Sequence, residues 1–255
     1  MIRLVASDID GTLLQRGAAE IPGEIFAQID RLERRGILFC PASGRQYNSL
    51  RRLFAPVADR VPYLCENGAA VFGPGSPGPV LSKTPMPREE AEELCRDIME
   101  TGGCEVLISG ENMSYLVPRR QDISGLMRNE KHNRVTALAR PEDTPEEIIK
   151  VSAYCAAGTE AIPTRLAEKW KKYNPAVAGR EWLDFTLADK GTGLAQLCAA
   201  LGIAPAEVMA FGDNWNDVPM LELAGEPWLM ETADGALLAR FPNHCASVVE
   251  VLKKL

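Results

Sequence analysis

The sequence predicts an α/β fold: a doubly wound, Rossmann-like parallel sheet that carries an inserted α+β unit. Three observations indicate this class. Short apolar runs that end in acidic or turn residues recur towards both ends of the chain, amphipathic helical patterns separate these runs, and the middle of the chain lacks the alternation. Alternating strands and helices are typical of a parallel sheet, because each parallel pair needs a crossover connection.

The apolar runs are expected to be strands that are buried on both faces. They are residues 2–7, 37–43, 62–67, 208–213 and 227–230. Apolar residues at helical spacing predict the helices between and after them. These helices are expected at residues 25–35, 193–201 and 246–255.

Residues 83–186 are predicted to form an inserted α+β cap, and residues 1–82 and 187–255 a catalytic core. The cap is expected to begin with an acidic helix at 87–101 and to contain a second helix near 159–172. Its strands are expected near residues 104–109, 113–117, 134–139 and 148–154, with a final pair of strands near 176–187. A chain of 255 residues can hold both parts, because a domain averages roughly 150 residues.

Composition excludes several classes of function. The 28 Lys and Arg against 35 Asp and Glu disfavour a nucleic-acid partner, because binding to backbone phosphates needs concentrated positive charge. Two histidines are too few for a multi-histidine zinc site and disfavour Ser-His-Asp catalysis. Seven scattered cysteines without CxxC spacing indicate reduced thiols in a cytoplasmic protein. No targeting or membrane-spanning segment is predicted.

Acidic pairs follow two of the predicted strands. Asp8 and Asp10 in DIDGT come directly after the first strand, and Asp213 and Asp217 in GDNWND follow the strand at 208–212. If these strands are neighbours in the sheet, Asp8, Asp10 and Asp213 converge at one edge, where such sheets bind ligands. Oxygen ligands without histidine or cysteine favour Mg²⁺, which a substrate phosphate can also ligate.

Two further residues are candidates for binding phosphate. Ser43 and Gly44 follow the strand at 37–43, and the Ser43 hydroxyl is expected at a helix N-terminus, where anions bind well. Lys190 precedes a helix that Thr192 could cap. A carboxylate that attacks a phosphate dianion from about 4 Å meets about 8 kcal/mol of electrostatic repulsion at an effective dielectric constant of about 20. A divalent cation and a lysine would remove this repulsion.

Four segments in order, DIDGTL, ASGR, DKGTGL and GDNWNDVPML, resemble the motifs of the haloacid dehalogenase superfamily. The pair Asn67-Gly68 and the long insert before Lys190 resemble its Cof-type phosphatases, whose C2-type cap lies between the second and third motifs. The resemblance implies a Mg²⁺-dependent phosphatase that hydrolyses a small phosphomonoester, such as a sugar phosphate, through an aspartyl-phosphate. From composition and hydropathy, no nucleic-acid or membrane partner is expected.

The resemblance also implies roles for individual residues. Asp8 would be the nucleophile, and Asp10 the general acid and later the base. Mg²⁺ would be held by Asp8, the main-chain carbonyl of Asp10 and Asp213, and Asp217 would orient these ligands with Asn216. The residues implied in holding the phosphoryl group are Thr12, Ser43, Gly44, Lys190 and Asn216.

Other interpretations remain open. A phosphomutase would use the same nucleophile, whereas a phospho-accepting signalling module is usually one small domain. A glycosyltransferase that binds metal through DxD would leave Ser43 and Lys190 without roles. A phosphate-binding protein without catalytic activity is disfavoured, because both Asp8 and Asp10 are present. Residues 226–232 depart from the family pattern, with Thr232 in place of an asparagine, which predicts a different choice of substrate.

Overall fold

The computed structural model describes residues 1–14, 20–118, 123–178 and 180–255. The strands in these ranges are β1 (Leu4–Ser7), β2 (Leu38–Pro41), β3 (Tyr63–Cys65), β4 (Ala70–Phe72), β5 (Val80–Lys83), β6 (Glu105–Ser109), β7 (Ser114–Val117), β8 (Val135–Ala137), β9 (Lys150–Tyr154), β10 (Ala176–Val177), β11 (Trp182–Phe185), β12 (Val208–Gly212), β13 (Glu226–Met230) and β14 (His244–Cys245). The helices are α1 (Gly23–Glu33), α2 (Tyr47–Leu53), α3 (Arg88–Glu100), α4 (Ser124–Asn129), α5 (Thr164–Lys169), α6 (Lys190–Leu201), α7 (Val218–Leu223), α8 (Gly235–Leu238) and α9 (Val248–Leu252). Within the same ranges, no helix combines the length and apolar character that crossing a bilayer requires.

Five parallel strands form a sheet in the order β14-β13-β12-β1-β2. Strand β1 is buried along its whole length and pairs with β12 on one side and β2 on the other. The prediction that the strands at 2–7 and 208–213 are neighbours is therefore confirmed. The strand order runs in opposite directions from β1, so the carboxyl end of β1 lies at a topological switch point, where open α/β sheets bind ligands.

The prediction for residues 62–67 was wrong in one respect, because β3 belongs to a separate antiparallel sheet with β4 and β5. Glu66 and Asn67 have φ angles of 51° and 55°, in the left-handed region, and turn the chain back into β4. A hairpin of this kind makes antiparallel neighbours. Strand β3 meets the end of β2 at the isolated bridge between Ala42 and Leu64, where the Ser43 N–H donates to the Leu64 carbonyl at 3.0 Å.

A second sheet has six strands in the order β10-β11-β9-β6-β7-β8, with every pair antiparallel except β7 and β8. Helix α3 packs on it through a buried apolar core that includes Leu94, Ile98, Val106 and Phe185. The predicted helix near 159–172 is shorter, since α5 begins only after Pro163. Helix α4 was not predicted.

The chain divides into two compact units. The first comprises Met1–Ser43, Leu50–Ser82 and Asp189–Leu255, and the second comprises Gly44–Ser49 and Lys83–Ala188. The second unit thus takes six residues from a segment that the sequence places in the core. The role of the inserted residues 83–186 as a cap stays a prediction.

Cys104 and Cys155 form a disulfide, so the prediction of reduced thiols was wrong for this pair. Strands β6 and β9 are antiparallel, with Glu105 opposite Tyr154. The next position of this register brings Cys104 and Cys155 together, although they are 51 residues apart in sequence. The free cysteines are buried: Cys40, Cys65, Cys95, Cys198 and Cys245.

Candidate active site

Strand β1 delivers Asp8 to the switch point. The Asp8 N–H donates to the Phe211 carbonyl over 2.9 Å, so the β1–β12 ladder continues one residue past the strand and fixes the Asp8 backbone. The Asp8 side chain is buried, with 5% of the residue exposed, whereas Asp10 is exposed. The two acids of DIDGT therefore have different surroundings, and their roles as nucleophile and proton donor stay predictions.

Strand β12 delivers Asp213, and the turn after it delivers Asp217. The Asp217 Oδ2 accepts hydrogen bonds from the N–H groups of Asp213, at 2.9 Å, and Asn214, at 3.0 Å. Asp217 is fully buried. This carboxylate therefore holds the loop that presents Asp213.

Lys190, the first residue of α6, joins the two acidic segments. Its Nζ lies 2.6 Å from Asp8 Oδ1 and 2.6 Å from Asp217 Oδ1, and the lysine is completely buried. Asp189 caps α6, since its Oδ1 accepts from the N–H and the hydroxyl of Thr192 at 2.7 and 2.9 Å. The expectation that Thr192 is the cap was wrong: Thr192 donates to the cap residue.

The acidic group fits a divalent cation. Oxygen atoms of Asp8, Asp213 and Asp217 lie within 4.8 Å of one another. When all three carboxylates are ionised, the single ammonium of Lys190 leaves two of their negative charges uncompensated. Asp8 Oδ2 is buried and accepts no hydrogen bond from the described residues. Hard oxygen donors with this charge suit Mg²⁺. The Asp10 side chain is not in this group, and its predicted main-chain contribution stays a prediction.

Burial raises the pKa of Asp8 to about 7; Lys190 opposes this shift and Asp217 adds to it. Burial, reinforced by Asp217, raises the pKa of Asp213 to about 6. Burial alone would lower the pKa of Lys190, but Asp217 and Asp8 outweigh it and raise that pKa above its ordinary value. Lys190 therefore stays charged, and the surplus negative charge lies on the carboxylates.

Three glycines allow neighbouring atoms to lie very close to the backbone around these side chains. Gly11 has φ 103°, and a Cβ there would lie 2.1 Å from Asp213 Oδ2. Gly68 has φ 95°, and a Cβ there would lie 2.1 Å from the Asp189 carbonyl oxygen, while a Cβ on Gly193 would lie 2.6 Å from the Gly68 Cα. Helix α6 thus contacts the 66–68 turn backbone to backbone.

Two of the predicted phosphate-binding residues contact the carboxylates of the site. The Thr12 hydroxyl lies 3.4 Å from Asp213 Oδ1, and Lys190 contacts Asp8. Ser43 is buried, but it is not at a helix N-terminus as expected, because α2 begins four residues later at Tyr47. Asn216 is exposed. The phosphate-binding roles of Thr12, Ser43, Gly44, Lys190 and Asn216 stay predictions.

Two features near the site were not assigned a role from the sequence. Asn67 donates its N–H to the Ser43 carbonyl at 3.0 Å, and its Oδ1 is buried without a hydrogen-bond partner among the described residues. The sequence pointed to Asn67 only through the resemblance of the pair Asn67-Gly68 to the Cof-type phosphatases.

Trp228 stacks on Phe211 of β12 and donates its indole N–H to Glu226 at 3.1 Å. The segment 226–232, whose sequence departs from the family pattern, therefore begins in strand β13.

Comparison with known proteins identifies the family. The sequence profile of the haloacid dehalogenase-like hydrolases matches residues 5–250. The chain belongs to this family. The resemblance in its four motifs and the predicted α/β fold are thereby confirmed.

Two curated relatives are phosphatases of Escherichia coli K12. The 5-amino-6-(5-phospho-D-ribitylamino)uracil phosphatase YbjI is 25% identical over 100% of this chain and 96% of its own length. The pyridoxal phosphate phosphatase YbhA is 26% identical over 93% of this chain and 91% of its own length. A crystal structure from Eubacterium rectale superposes with a TM-score of 0.85 at 30% identity, covering 99% of this chain and 98% of the other. The protein is a haloacid dehalogenase-type phosphatase, as these two relatives are.

Proposed function

We propose that this haloacid dehalogenase-type phosphatase is Mg²⁺-dependent and hydrolyses a phosphomonoester through an aspartyl-phosphate formed on Asp8. The observation that carries the proposal is the environment of Asp8, which is buried, is paired with Lys190 through Oδ1 and has an Oδ2 without a partner among the described residues. A carboxylate held in this way has one oriented oxygen and one oxygen available for bonding.

Asp8, Asp213 and Asp217 would hold or orient Mg²⁺, with the main-chain carbonyl of Asp10. When bound, the ion supplies positive charge that stabilises the transferring phosphoryl group. Lys190 supplies a second positive charge at Asp8. Thr12, Ser43, Gly44 and Asn216 would orient the phosphoryl oxygens.

Asp10 would move the proton. An Asp8 oxygen forms a bond to phosphorus as the bond from phosphorus to the ester oxygen breaks, and Asp10 protonates the departing oxygen. Asp10 then takes a proton from water, whose oxygen attacks phosphorus, so that phosphate leaves and Asp8 is restored. The exposure of Asp10 supports this assignment, because the group must meet both the leaving group and water.

The proposed substrate is a small phosphorylated metabolite such as a sugar phosphate. Support comes from the two E. coli phosphatases and from the subclass IIB sugar phosphatase BT4131, whose fold superposes with a TM-score of 0.81 at 19% identity over 99% of this chain and 98% of the other. No nucleic-acid or membrane partner is proposed. We also propose a cytoplasmic location. It was inferred from seven reduced cysteines, of which five remain free now that Cys104 and Cys155 form a disulfide.

Replacing Asp8 by Asn tests the mechanism. We expect Asp8→Asn to abolish Mg²⁺-dependent phosphate release from an aryl phosphate while the circular-dichroism spectrum stays unchanged, because the amide cannot attack phosphorus. Asp59→Asn, at a side chain that is 57% exposed, is the matched control and should keep full activity.

Activity retained by Asp8→Asn would overturn the mechanism. Product analysis separates the proposal from the phosphomutase alternative. Release of inorganic phosphate from sugar phosphates supports hydrolysis, whereas an isomeric ester formed without release supports the mutase.

A further inference from the structure

The 66–68 turn lies between two segments of the first unit, and each of them carries a predicted phosphate-binding residue. On one side, Asn67 donates its N–H to the Ser43 carbonyl at 3.0 Å. On the other side, Gly68 meets the start of helix α6, where a Cβ on Gly68 would lie 2.1 Å from the Asp189 carbonyl oxygen. The turn is therefore in direct contact with both segments.

Both segments are also tied to the surrounding structure of the first unit. The Ser43 N–H donates to the Leu64 carbonyl at 3.0 Å, so β3 and the turn after it bond both backbone polar groups of Ser43. At the start of α6, the Lys190 Nζ lies 2.6 Å from Asp8 Oδ1. A displacement of the turn would therefore move the Ser43 backbone relative to Lys190.

The turn has an unusual backbone conformation. The φ angles of Glu66, Asn67 and Gly68 are 51°, 55° and 95°, so three successive residues lie outside the range that most residues adopt. Glycine takes up positive φ without a steric penalty, and asparagine tolerates the left-handed region better than most residues do. Strained conformations of this kind persist only where surrounding contacts enforce them, and they cluster at functional sites.

The Asn67 side chain does not explain why this residue occupies the turn. Its Oδ1 is buried and has no hydrogen-bond partner among the described residues. A buried oxygen without a partner lowers stability. The contributions that the structure describes for Asn67 are therefore those of its backbone, namely the left-handed φ and the N–H that donates to the Ser43 carbonyl.

We propose that Asn67 is a positioning residue for phosphate binding. Its left-handed backbone holds the 66–68 turn between the Ser43 segment and the start of α6, and so sets the position of Ser43 relative to Lys190. The inference rests on the proposed function, in which Ser43 orients phosphoryl oxygens and Lys190 supplies positive charge beside Asp8. It assigns this role to the backbone of Asn67 and not to its side-chain amide.

Two substitutions at Asn67 separate its backbone from its side chain. Asn67→Val keeps the N–H, but a β-branched residue is strongly disfavoured at positive φ, so the turn must shift. We expect the dissociation constant of inorganic phosphate, measured by calorimetry at saturating Mg²⁺, to rise about tenfold, because displaced binding groups lose their contacts. Asn67→Gly also lacks the amide but adopts the same φ without strain, and its dissociation constant should stay within about twofold of that of the unaltered chain.

Asn174→Val is the matched control. Asn174 belongs to the second unit and also has a left-handed φ, of 46°. The same substitution should lower the melting temperature and leave the dissociation constant of phosphate unchanged. The comparison separates a specific loss of phosphate binding from a general loss of stability.

An unchanged dissociation constant of phosphate in folded Asn67→Val would overturn the positioning role. An equal rise in Asn67→Gly and Asn67→Val would also overturn it, because the loss would then come from the amide. If either result accompanied an inactive Asp8→Asn protein, the proposed function would stand and the inference alone would fail. An active Asp8→Asn protein would instead overturn the proposed mechanism, and phosphate binding, which needs no turnover, would still decide the role of Asn67.

Should Asn67→Val not fold, Asn67→Ala supplies the decision. Alanine is not branched at Cβ but still meets a steric penalty in the left-handed region. We expect the dissociation constant of phosphate to rise by a smaller factor, about threefold, with Asn67→Gly again close to the unaltered chain. Equal dissociation constants in Asn67→Ala and Asn67→Gly would overturn the proposal.

Discussion

At the scale of single residues, the carboxylates of the site are held by bonds of different kinds. Asp217 accepts two backbone N–H groups and the Lys190 ammonium, so both of its oxygens are occupied. Asp8 has only one oxygen paired with a hydrogen-bond donor among the described residues. Asp217 is therefore suited to orienting the site, and Asp8 to bonding a metal or phosphorus.

Gly11 shows how the absence of a side chain shapes the site. We expect Gly11→Ala to lower Mg²⁺ affinity roughly 10- to 100-fold, because its Cβ would displace the Asp213 carboxylate, and misplaced ligands lose affinity of this order. Calorimetric titration with Mg²⁺ measures the effect. Gly36→Ala is the control, since Gly36 also has positive φ, at 72°, but no described heavy atom within 4 Å of its Cβ position. Equal Mg²⁺ affinity in the two variants would contradict the expectation.

The raised pKa values of Asp8 and Asp213 predict how Mg²⁺ binding depends on pH. Ligands bind the metal when deprotonated, so lowering the pH from 8 to 5.5 passes through pKa values of about 7 and about 6 and should weaken binding by about 30-fold or more. The metal-free protein should show the opposite trend in stability. The folded-state pKa values of Asp8 and Asp213 lie above the ordinary value of an aspartate, so this contribution to stability is present at low pH and is lost as the pH rises through about 7.

Calorimetry for Mg²⁺ affinity and thermal melts in EDTA, both from pH 5.5 to 8, measure these two trends. The gain in melting temperature on adding Mg²⁺ should be larger at pH 8 than at pH 5.5. A Mg²⁺ affinity that does not change with pH would rule out the raised pKa values.

At the scale of elements, helix α6 brings Lys190 to the acids through its first residue. Asp189→Ala removes the cap that accepts from Thr192, and this should lower the free energy of unfolding by about 1 kcal/mol. It should also raise KM for an aryl phosphate, because the helix start that carries Lys190 becomes less ordered. Asp234→Ala, which uncaps α8 by removing a 2.8 Å bond from the Ala236 N–H, is the control. Urea unfolding should show similar losses for both, with KM raised only for Asp189→Ala.

The sequence predicted the elements whose pattern is local. Apolar runs locate β1, β2, β12 and β13. Strands β1 and β12 are buried along their whole length, as uninterrupted apolar runs predict, whereas the first three residues of β13 are half-buried. The pairing of β3 depends on positive φ angles at Glu66 and Asn67, which are rare for residues other than glycine and leave little trace in composition.

Contacts between distant residues were predictable only where topology supplied them. The convergence of Asp8 and Asp213 follows once β1 and β12 are parallel neighbours. The bond from Lys190 to Asp217 and the disulfide between Cys104 and Cys155 depend on the exact end of a helix and on an antiparallel register, which spacing in sequence does not specify. Family resemblance indicated Lys190 but not its second partner.

At the scale of the whole molecule, the residues of the candidate metal site lie in one of two units. Asp8, Asp213, Asp217 and Lys190 all belong to the first unit. A ligand that binds only the folded state stabilises it by about 2.7 kcal/mol at a hundred times its dissociation constant. We therefore expect saturating Mg²⁺ to slow hydrogen exchange in β1 and β12 but not in β6 and β9 of the second unit.

Hydrogen-exchange mass spectrometry with and without Mg²⁺ makes this comparison, and Asp213→Asn provides the control for specific binding. Equal protection of β6 and β9 would show that the two units respond to the ion as one. We expect Mg²⁺ to protect β1 and β12 from exchange in the unaltered chain and to give no protection in Asp213→Asn.

The meeting of Gly68 and Gly193 limits how this enzyme can change over evolution. A side chain on Gly193 collides with the Gly68 backbone, and a side chain on Gly68 collides with the Asp189 backbone, so enlarging one position cannot be relieved by shrinking the other. No compensating pair of mutations is available between two residues that are both already minimal. A lineage that retains Lys190 beside Asp8 is therefore expected to keep both glycines.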